Sequence, residues 1–450
     1  MRGQSAQCAG SYRLAGLGGT GGYSPQGTGR AVSVSLLVLG LALAVVIGRL
    51  LLDGLNLSYQ RRPKPALPAA FAGRFDEKRL QEGNRYNQAR GHLGLLEDAG
   101  GSLVTIAFIF SGLLSWYDQW VVSLTSHGLI QGLLFFLLLG AVQVLWGVPF
   151  SLYRNFVLEA RFGFNRMSLS LWCSDLIKSL LIGAVLFSVL VGGSLWLIET
   201  FPHSWWLWVW VFWACLSLFL LYVSPVLIEP FFFKMTPLQD RELETQVGQL
   251  LKRAGLEAGT VLQVDASRRS GHSNAYFTGI GRVKRVVFFD TLLNQLNHTE
   301  LLAVLAHELG HWQRGHIRQR LIKGQVAVLF CCYAAFWLLQ QQVLSHWFGI
   351  AALSLYGQIF LLAWLGGLIG FFWSPISSWW SRRQEWDADR FARNLVGGGD
   401  ALATGLVKLA SENLSQLYPH PLYAWFYYSH PPLLERVAAL ESHRKGSSKK

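Results

Sequence analysis

His307-Glu308-Leu309-Gly310-His311 sets two imidazoles four residues apart with a carboxylate between them. On a helix, residues four apart share one face, so both rings can bind one Zn²⁺ while Glu308 faces a water on the metal. The competing reading is a helix with two partly buried histidines and one exposed acid. A catalytic zinc takes three protein ligands and leaves a fourth position for water. Glu385-Trp386-Asp387-Ala388-Asp389 offers the third. Glu385 and Asp389 stand one turn apart on one face, so Glu385 can bind the metal while Asp389 accepts the free ring N–H of a zinc histidine. A solvated acidic helix start is the alternative there, and Asp387 faces elsewhere. The longer pattern H-E-x-x-H-x-x-G-x-x-H needs Gly at 314 and His at 317, but the chain has Arg314 and Ile317. His316, about 140° round a continuous helix from the ligand face, reads as structural.

The helix that carries His307 starts at Asn297, which has capping-box spacing to Glu300. Leu301, Val304 and Leu305 make it amphipathic, and it runs on toward the next apolar segment. Upstream, residues 238–254 have a helical pattern, and the alternating or apolar runs at 260–266, 275–279 and 285–290 read as short strands. Residues 236–320 are therefore soluble in character. So are 381–450, mostly helical with a loop around 419–432.

The rest of the chain is built for lipid. Of 450 residues, 52% are hydrophobic and 14% charged, with 28 Phe, 19 Trp and 14 Tyr, a composition that excludes disordered, collagenous and disulfide-scaffold proteins. Mean hydropathy is +0.31. Runs of about 20 apolar residues give seven spans, near 33–52, 102–124, 128–148, 176–198, 205–228, 321–343 and 351–376. The second and third form a hairpin interrupted only by Thr125, Ser126 and His127. Lys and Arg crowd the segments 53–99, 151–178 and 229–320 and the tail after 380, and are absent from 125–127, 199–204 and 344–350. That asymmetry puts the long segments and the C-terminus in the cytoplasm. It also accounts for the +13 net charge without nucleic acid, whose motifs are missing. Residues 1–30 read as a disordered Gly- and Ser-rich tail, and Arg49 and Asp53 after the first apolar run argue for a retained span over a cleaved signal. Cys173, Cys215, Cys331 and Cys332 read as small buried hydrophobes.

Together these residues resemble the integral-membrane zinc metalloproteases of the CAAX prenyl protease 1 type, a gluzincin family. The likeness rests on His307 to Trp312, Glu385 with Asp389, Asn274-Ala275-Tyr276-Phe277, Ser429-His430-Pro431-Pro432 with Glu435-Arg436, Pro149, Tyr153, Glu159 and Arg161-Phe162-Gly163-Phe164-Asn165. It covers roughly residues 35–440. The resemblance implies an α-helical polytopic membrane protein with seven transmembrane helices around an internal chamber and a cytoplasmic zincin-like α+β catalytic domain. It implies His307, His311 and Glu385 as ligands of one Zn²⁺, Glu308 as general base, and Asn274, Ala275 and Tyr276 on an edge strand that pairs with the substrate backbone. His430 is similar to the residue that steadies the oxyanion, and Arg436 to a support of the acidic motif. Eukaryotic relatives carry a long charged insertion before the zinc helix. Here Phe289 runs to Asn297 with almost nothing between, which points to a compact prokaryotic member.

The expected organisation is a tail (1–30), five transmembrane helices with their loops (31–235), a zincin-like catalytic segment (236–320), two further transmembrane helices (321–380) and a C-terminal catalytic segment with a basic tail (381–450). The expected activity is zinc-dependent hydrolysis of peptide bonds in membrane-associated or lipidated, CAAX-type substrates. The placement is multi-pass, in a bacterial inner membrane with the site on the cytoplasmic side, or in the endoplasmic reticulum membrane of a eukaryote. Two other readings stay open: a broad quality-control protease using the same zinc site, and a non-enzymatic seven-span receptor or transporter, which would carry intramembrane charge.

Overall fold

The computed structural model describes residues 25–63, 65–71, 73–256, 260–278, 285–350 and 352–447. Residues 1–24 of the expected tail lie outside them. The first helix, α1 (Pro25–Gln60), takes in residues 25–30, which the sequence had assigned to the tail; Pro25 is tolerated in a first turn because that turn's N–H groups have no intrahelical partner. It is followed by α2 (Glu77–Phe110), α3 (Leu113–Ser123), α4 (Gly128–Tyr153, prolonged as a π-helical turn to Glu159), α5 (Leu169–Thr200), α6 (Trp205–Val223) and α7 (Glu229–Phe232). After the sheet region come α11 (His316–Gln340), α12 (Val343–Phe348) and α13 (Leu355–Val396).

Seven helices among the described residues are long and apolar enough to cross a bilayer, beginning at Val34, Glu77, Gly128, Leu169, Trp205, His316 and Leu355. The number agrees with the hydropathy reading, but the second span does not. It ends at Phe110, and Ser111-Gly112, with Gly112 at φ 89°, breaks the chain into the separate helix α3. The apolar run continues through the break, so hydropathy alone merges the two helices. Between 6% and 17% of each span's most apolar stretch is buried inside the protein, so these helices turn most of that surface to lipid or to internal space. Three of the cysteines read as buried follow the same rule: Cys173, Cys215 and Cys331 are exposed, and Cys332 is buried. Arg49, Glu97, Asp98 and Gln143 line a cavity of about 360 Å³ between α1, α2, α4 and α13. Ionisable groups at this depth face a bundle interior, not lipid.

The soluble part joins β1 (Met235–Pro237), α8 (Arg241–Arg253), β2 (Thr260–Val264), β3 (Ala275–Thr278), β4 (Arg285–Phe289), α9 (Asp290–Gln295) and α10 (His298–Gln313) to α14 (Asp400–Glu412), α15 (Pro421–Tyr427) and α16 (Leu433–Ser447). The sheet order is β1-β2-β4-β3, with β2 and β4 parallel and the outer pairs antiparallel. The sequence missed β1, which is three residues long, and read α15 as loop. Val286 and Phe288 of β4 pack with Leu301, Leu305 and Leu309 of α10, and with Ala392, Leu402 and Val407 from the C-terminal helices. Leu301, Leu305 and Leu309 repeat every fourth residue and form the buried stripe that seats α10 on this core.

Two helix boundaries matter for the site. α10 does not run on into the next span: Gly315, at φ 67°, ends it and starts α11 at His316. Conversely, α13 carries the last span and Glu385-Asp389 on one continuous helix, so position 380/381 lies inside it.

Candidate metal centre

The capping box is present: Asn297 Oδ1 accepts from Glu300 N and Glu300 Oε2 from Asn297 N, each at 3.0 Å. Glu300 also pairs with Lys408 of α14 at 2.7 Å. The start of α10 is thereby fixed to its neighbour. Further along, Gly310 lets α13 come close. A Cβ at Gly310 would lie 3.0 Å from Ala388 Cα and 3.1 Å from its carbonyl oxygen. The two helices cross where both residues are small, and Glu385 and Asp389 flank that point within reach of the two histidines.

Nε2 of His307 and Nε2 of His311 are 3.3 Å apart. Glu385 Oε2 is 3.3 Å from the first and Oε1 is 3.2 Å from the second. The three donors form one cluster with all ligand atoms within 4.8 Å of one another. Two ring nitrogens facing each other cannot both be satisfied by ring protons without a clash, and Glu385 Oε2, on a residue 2% exposed, accepts no well-aligned hydrogen bond. A shared cation resolves both. Tetrahedral ligands at about 2.05 Å from a divalent metal stand about 3.3 Å from one another, the separation found here.

The outer nitrogens are held too. His307 Nδ1 lies 2.8 Å from Asp389 Oδ1. Asp389 in turn accepts two hydrogen bonds from Arg436 of α16, from Nε at 2.9 Å and from Nη2 at 2.7 Å. His311 Nδ1 is 3.0 Å from His316 Nδ1. His316 is outside the ligand cluster, as expected, but the turn at Gly315 carries it back to His311. The 140° offset assumed a continuous helix and so missed the contact. Burial alone would depress the His307 pKa, yet hydrogen bonding to Asp389 and Glu385 overcomes it and raises it to about 9. The cluster attracts positive charge, whether a proton or a metal.

Glu308 points from the same helix and makes no hydrogen bond among the described residues; burial raises its carboxyl pKa above the ordinary value. A carboxylate shifted in this direction accepts a proton more readily than a free one. His430 sits in the turn between α15 and α16, with its side chain 61% exposed and Nδ1 2.7 Å from Glu385 Oε2. It lines a cavity of about 590 Å³ shared with Arg436, His272, Tyr86 and Tyr428. β3 is an edge strand paired only with β4 among the described residues. Phe277 packs edge-on against Trp312, which follows His311, and this contact holds β3 alongside α10. Asn274 is exposed, Ala275 is buried, and Tyr276 turns to the other face, where its hydroxyl donates to Glu229 at 3.0 Å. The structure thus gathers His307, Glu308, His311, Glu385, Asp389, His430 and Arg436 at one place, with Asn274–Tyr276 on a neighbouring strand.

A multi-pass membrane chain that carries such a cluster where the span-bearing helix α13 crosses α10 belongs, by class, to the membrane metallopeptidases. Residues 56–234 match the pattern described as "CAAX prenyl protease N-terminal, five membrane helices", and residues 237–444 match "Peptidase family M48". The chain belongs to that family, on its CAAX prenyl protease 1 branch. It is 32% identical to CAAX prenyl protease 1 of Saccharomyces cerevisiae over 85% of this chain and 90% of that one. It is 32% identical to the CAAX prenyl protease 1 homolog of Arabidopsis thaliana over 91% and 97%. The crystal structure of S. mikatae Ste24p superposes with a TM-score of 0.84 at 29% identity, covering 91% of this chain and 99% of that one.

Proposed function

We propose that the metal is zinc and that the enzyme hydrolyses peptide bonds of membrane-associated, CAAX-type prenylated proteins from the cytoplasmic side. The observation that carries this is the triangle of His307, His311 and Glu385 donors, whose edges of 3.2 to 3.3 Å suit one tetrahedral metal. Bound there, zinc would supply a Lewis acid for the scissile carbonyl and a lowered pKa for water.

Every other step belongs to the chain. Glu308 takes a proton from the attacking water and delivers it to the leaving amine. His430, pinned by Pro431 and Pro432, hydrogen-bonds the oxygen on which negative charge develops. Asp389, held by Arg436, fixes the orientation of the His307 ring. The substrate backbone adds to the free edge of β3 at Asn274, Ala275 and Tyr276, with its reacting carbonyl toward α10. In this reading, the helices within 31–235 and 321–380 form the membrane ring and 236–320 and 381–450 the catalytic lobe, with α13 continuous across 380/381. The Lys and Arg asymmetry supports the cytoplasmic placement of that lobe. The short passage from Phe289 to Asn297 supports a compact member, placed in a bacterial inner membrane or, in a eukaryote, in the endoplasmic reticulum membrane.

Purified protein should contain about one zinc per chain. A farnesylated CAAX peptide should be cleaved with higher kcat/KM than its unprenylated twin. Equal rates on the two peptides would refute the substrate and leave the peptidase standing. Absence of zinc from active protein would refute the metal.

A further inference from the structure

The face of α13 opposite Glu385 has a site of its own. Trp380, Arg383, Gln384, Asp387 and Arg390, with Arg314 and His316 from the α10–α11 junction, line a cavity of about 520 Å³; His316 joins it to the metal cluster through His311, and the other residues named have no part in the peptidase chemistry proposed above. Its charge is unbalanced. Asp387 is engaged by Arg390, and among the described residues neither Arg314 nor Arg383 has a carboxylate partner. Arg383 instead lies over the Trp379 ring, at 4.6 Å, and Lys323 of α11 over that of Trp380. Gln384 is 3% exposed. Its Oε1 accepts from Arg320 Nε at 2.7 Å, while its Nε2 is buried with no partner. A cavity with two unpaired guanidinium groups and a buried amide donor calls for an anion with several acceptor oxygens. A phosphate group has that chemistry.

The position says what carries the phosphate. α11 and α13 are both membrane-spanning, and the cavity lies where they leave the apolar region. Trp379 and Trp380, 45% and 40% exposed, stand at that level as interfacial tryptophans do. Basic cavities between transmembrane helices at this depth hold lipid headgroups. We propose that the cavity binds the phosphate of an anionic phospholipid from the leaflet on the catalytic side, with Arg314, Arg383 and the Gln384 amide as its donors.

The test uses the full chain in phosphatidylcholine nanodiscs titrated with phosphatidylglycerol, and bound lipid is counted by native mass spectrometry. Arg383→Gln should weaken phosphatidylglycerol binding about five-fold and Arg314→Gln with Arg383→Gln about 25-fold, while Arg383→Lys keeps most of it. Cleavage of a test peptide in detergent should be the same in all four proteins, which shows each variant folded. Equal phosphatidylglycerol binding by the wild type and the double variant would overturn the site. A parallel arm titrates inorganic phosphate onto the chain in zwitterionic micelles. Phosphate binding as tight as that of phosphatidylglycerol would overturn the lipid as its source; much weaker binding, lost in the double variant, supports it.

Discussion

His307, His311, Glu385 and Asp389 stand on two helices packed face to face, whereas His430 stands on a turn between two short ones. On the helices every outer atom is held: His307 by Asp389, Asp389 by Arg436, His311 by His316. The four residues are 16% exposed at most in their side chains, against 61% for His430. The difference separates holding from reacting. A metal needs its ligands preorganised before it arrives, and helix packing does that at little further cost in entropy. A group proposed to meet a changing oxyanion must be reached by substrate, and His430 does line the open cavity, with Pro431 and Pro432 after it to restrict the backbone. Substitutions on the crossing should therefore act through metal and stability, and those at the turn through kcat alone.

Glu308 breaks that division, because it is on the crossing yet should act on rate alone. Glu308→Gln keeps the shape and every ligand. We expect full metal content and a fall in kcat of about 10⁴. A variant that loses metal in parallel with activity would make Glu308 part of the holding frame.

Arg436→Ala tests the frame itself. Arg436 is 7% exposed and Asp389 3%, so removing the guanidinium strands a buried carboxylate beside His307. Loss of one partner of a buried pair costs about 3–5 kcal/mol. The expected outcome is a lower Tm together with weaker metal binding, read by calorimetry and by competition with a chelator. Unchanged metal affinity would confine Arg436 to packing.

At the turn, His430→Ala tests the proposed oxyanion donor and should lower kcat by about 10² to 10³. KM, Tm and metal content should stay near wild type, since the side chain is mostly exposed. If Tm falls and kcat holds, the turn is structural.

Much of this was legible in the chain. The H-E-x-x-H spacing and the Asn297–Glu300 cap identified the first helix of the site, and the Glu385–Asp389 spacing the second, because the geometry involved is local and repeats every 3.6 residues. Hydropathy counted the spans for the same reason. What it missed were breaks and continuities that leave composition unchanged. Gly112 interrupts an apolar run, Gly315 interrupts a polar one, and α13 passes from lipid to water without a pause. The second of these hid the contact of His316 with His311, and the third put a boundary at 380/381 inside one helix. Chain geometry at a left-handed glycine is a tertiary choice, and a lone Gly in a helical pattern signals it only weakly.

One signal of the crossing was nevertheless present: Gly310 in one motif and Ala388 in the other, each the smallest residue of its set. Gly310→Ala tests it with the smallest effect of the four. Alanine favours a helix over glycine by about 1 kcal/mol, so at an open position the change stabilises. Gly324 of α11 is such a position, with nothing within 4 Å of an added Cβ. At Gly310 the same Cβ meets the Ala388 backbone at 3.0 Å, and backbone cannot step aside as a side-chain tip can. Overpacking of this kind costs about 1–3 kcal/mol, enough to cancel or reverse the propensity gain. Gly324→Ala should therefore raise Tm slightly, and Gly310→Ala should lower it while weakening metal binding, because spreading the helices lengthens the distances from Glu385 to both histidines. Should Gly310→Ala stabilise the protein with its metal intact, the close approach of α10 and α13 is not what sets the ligand triangle.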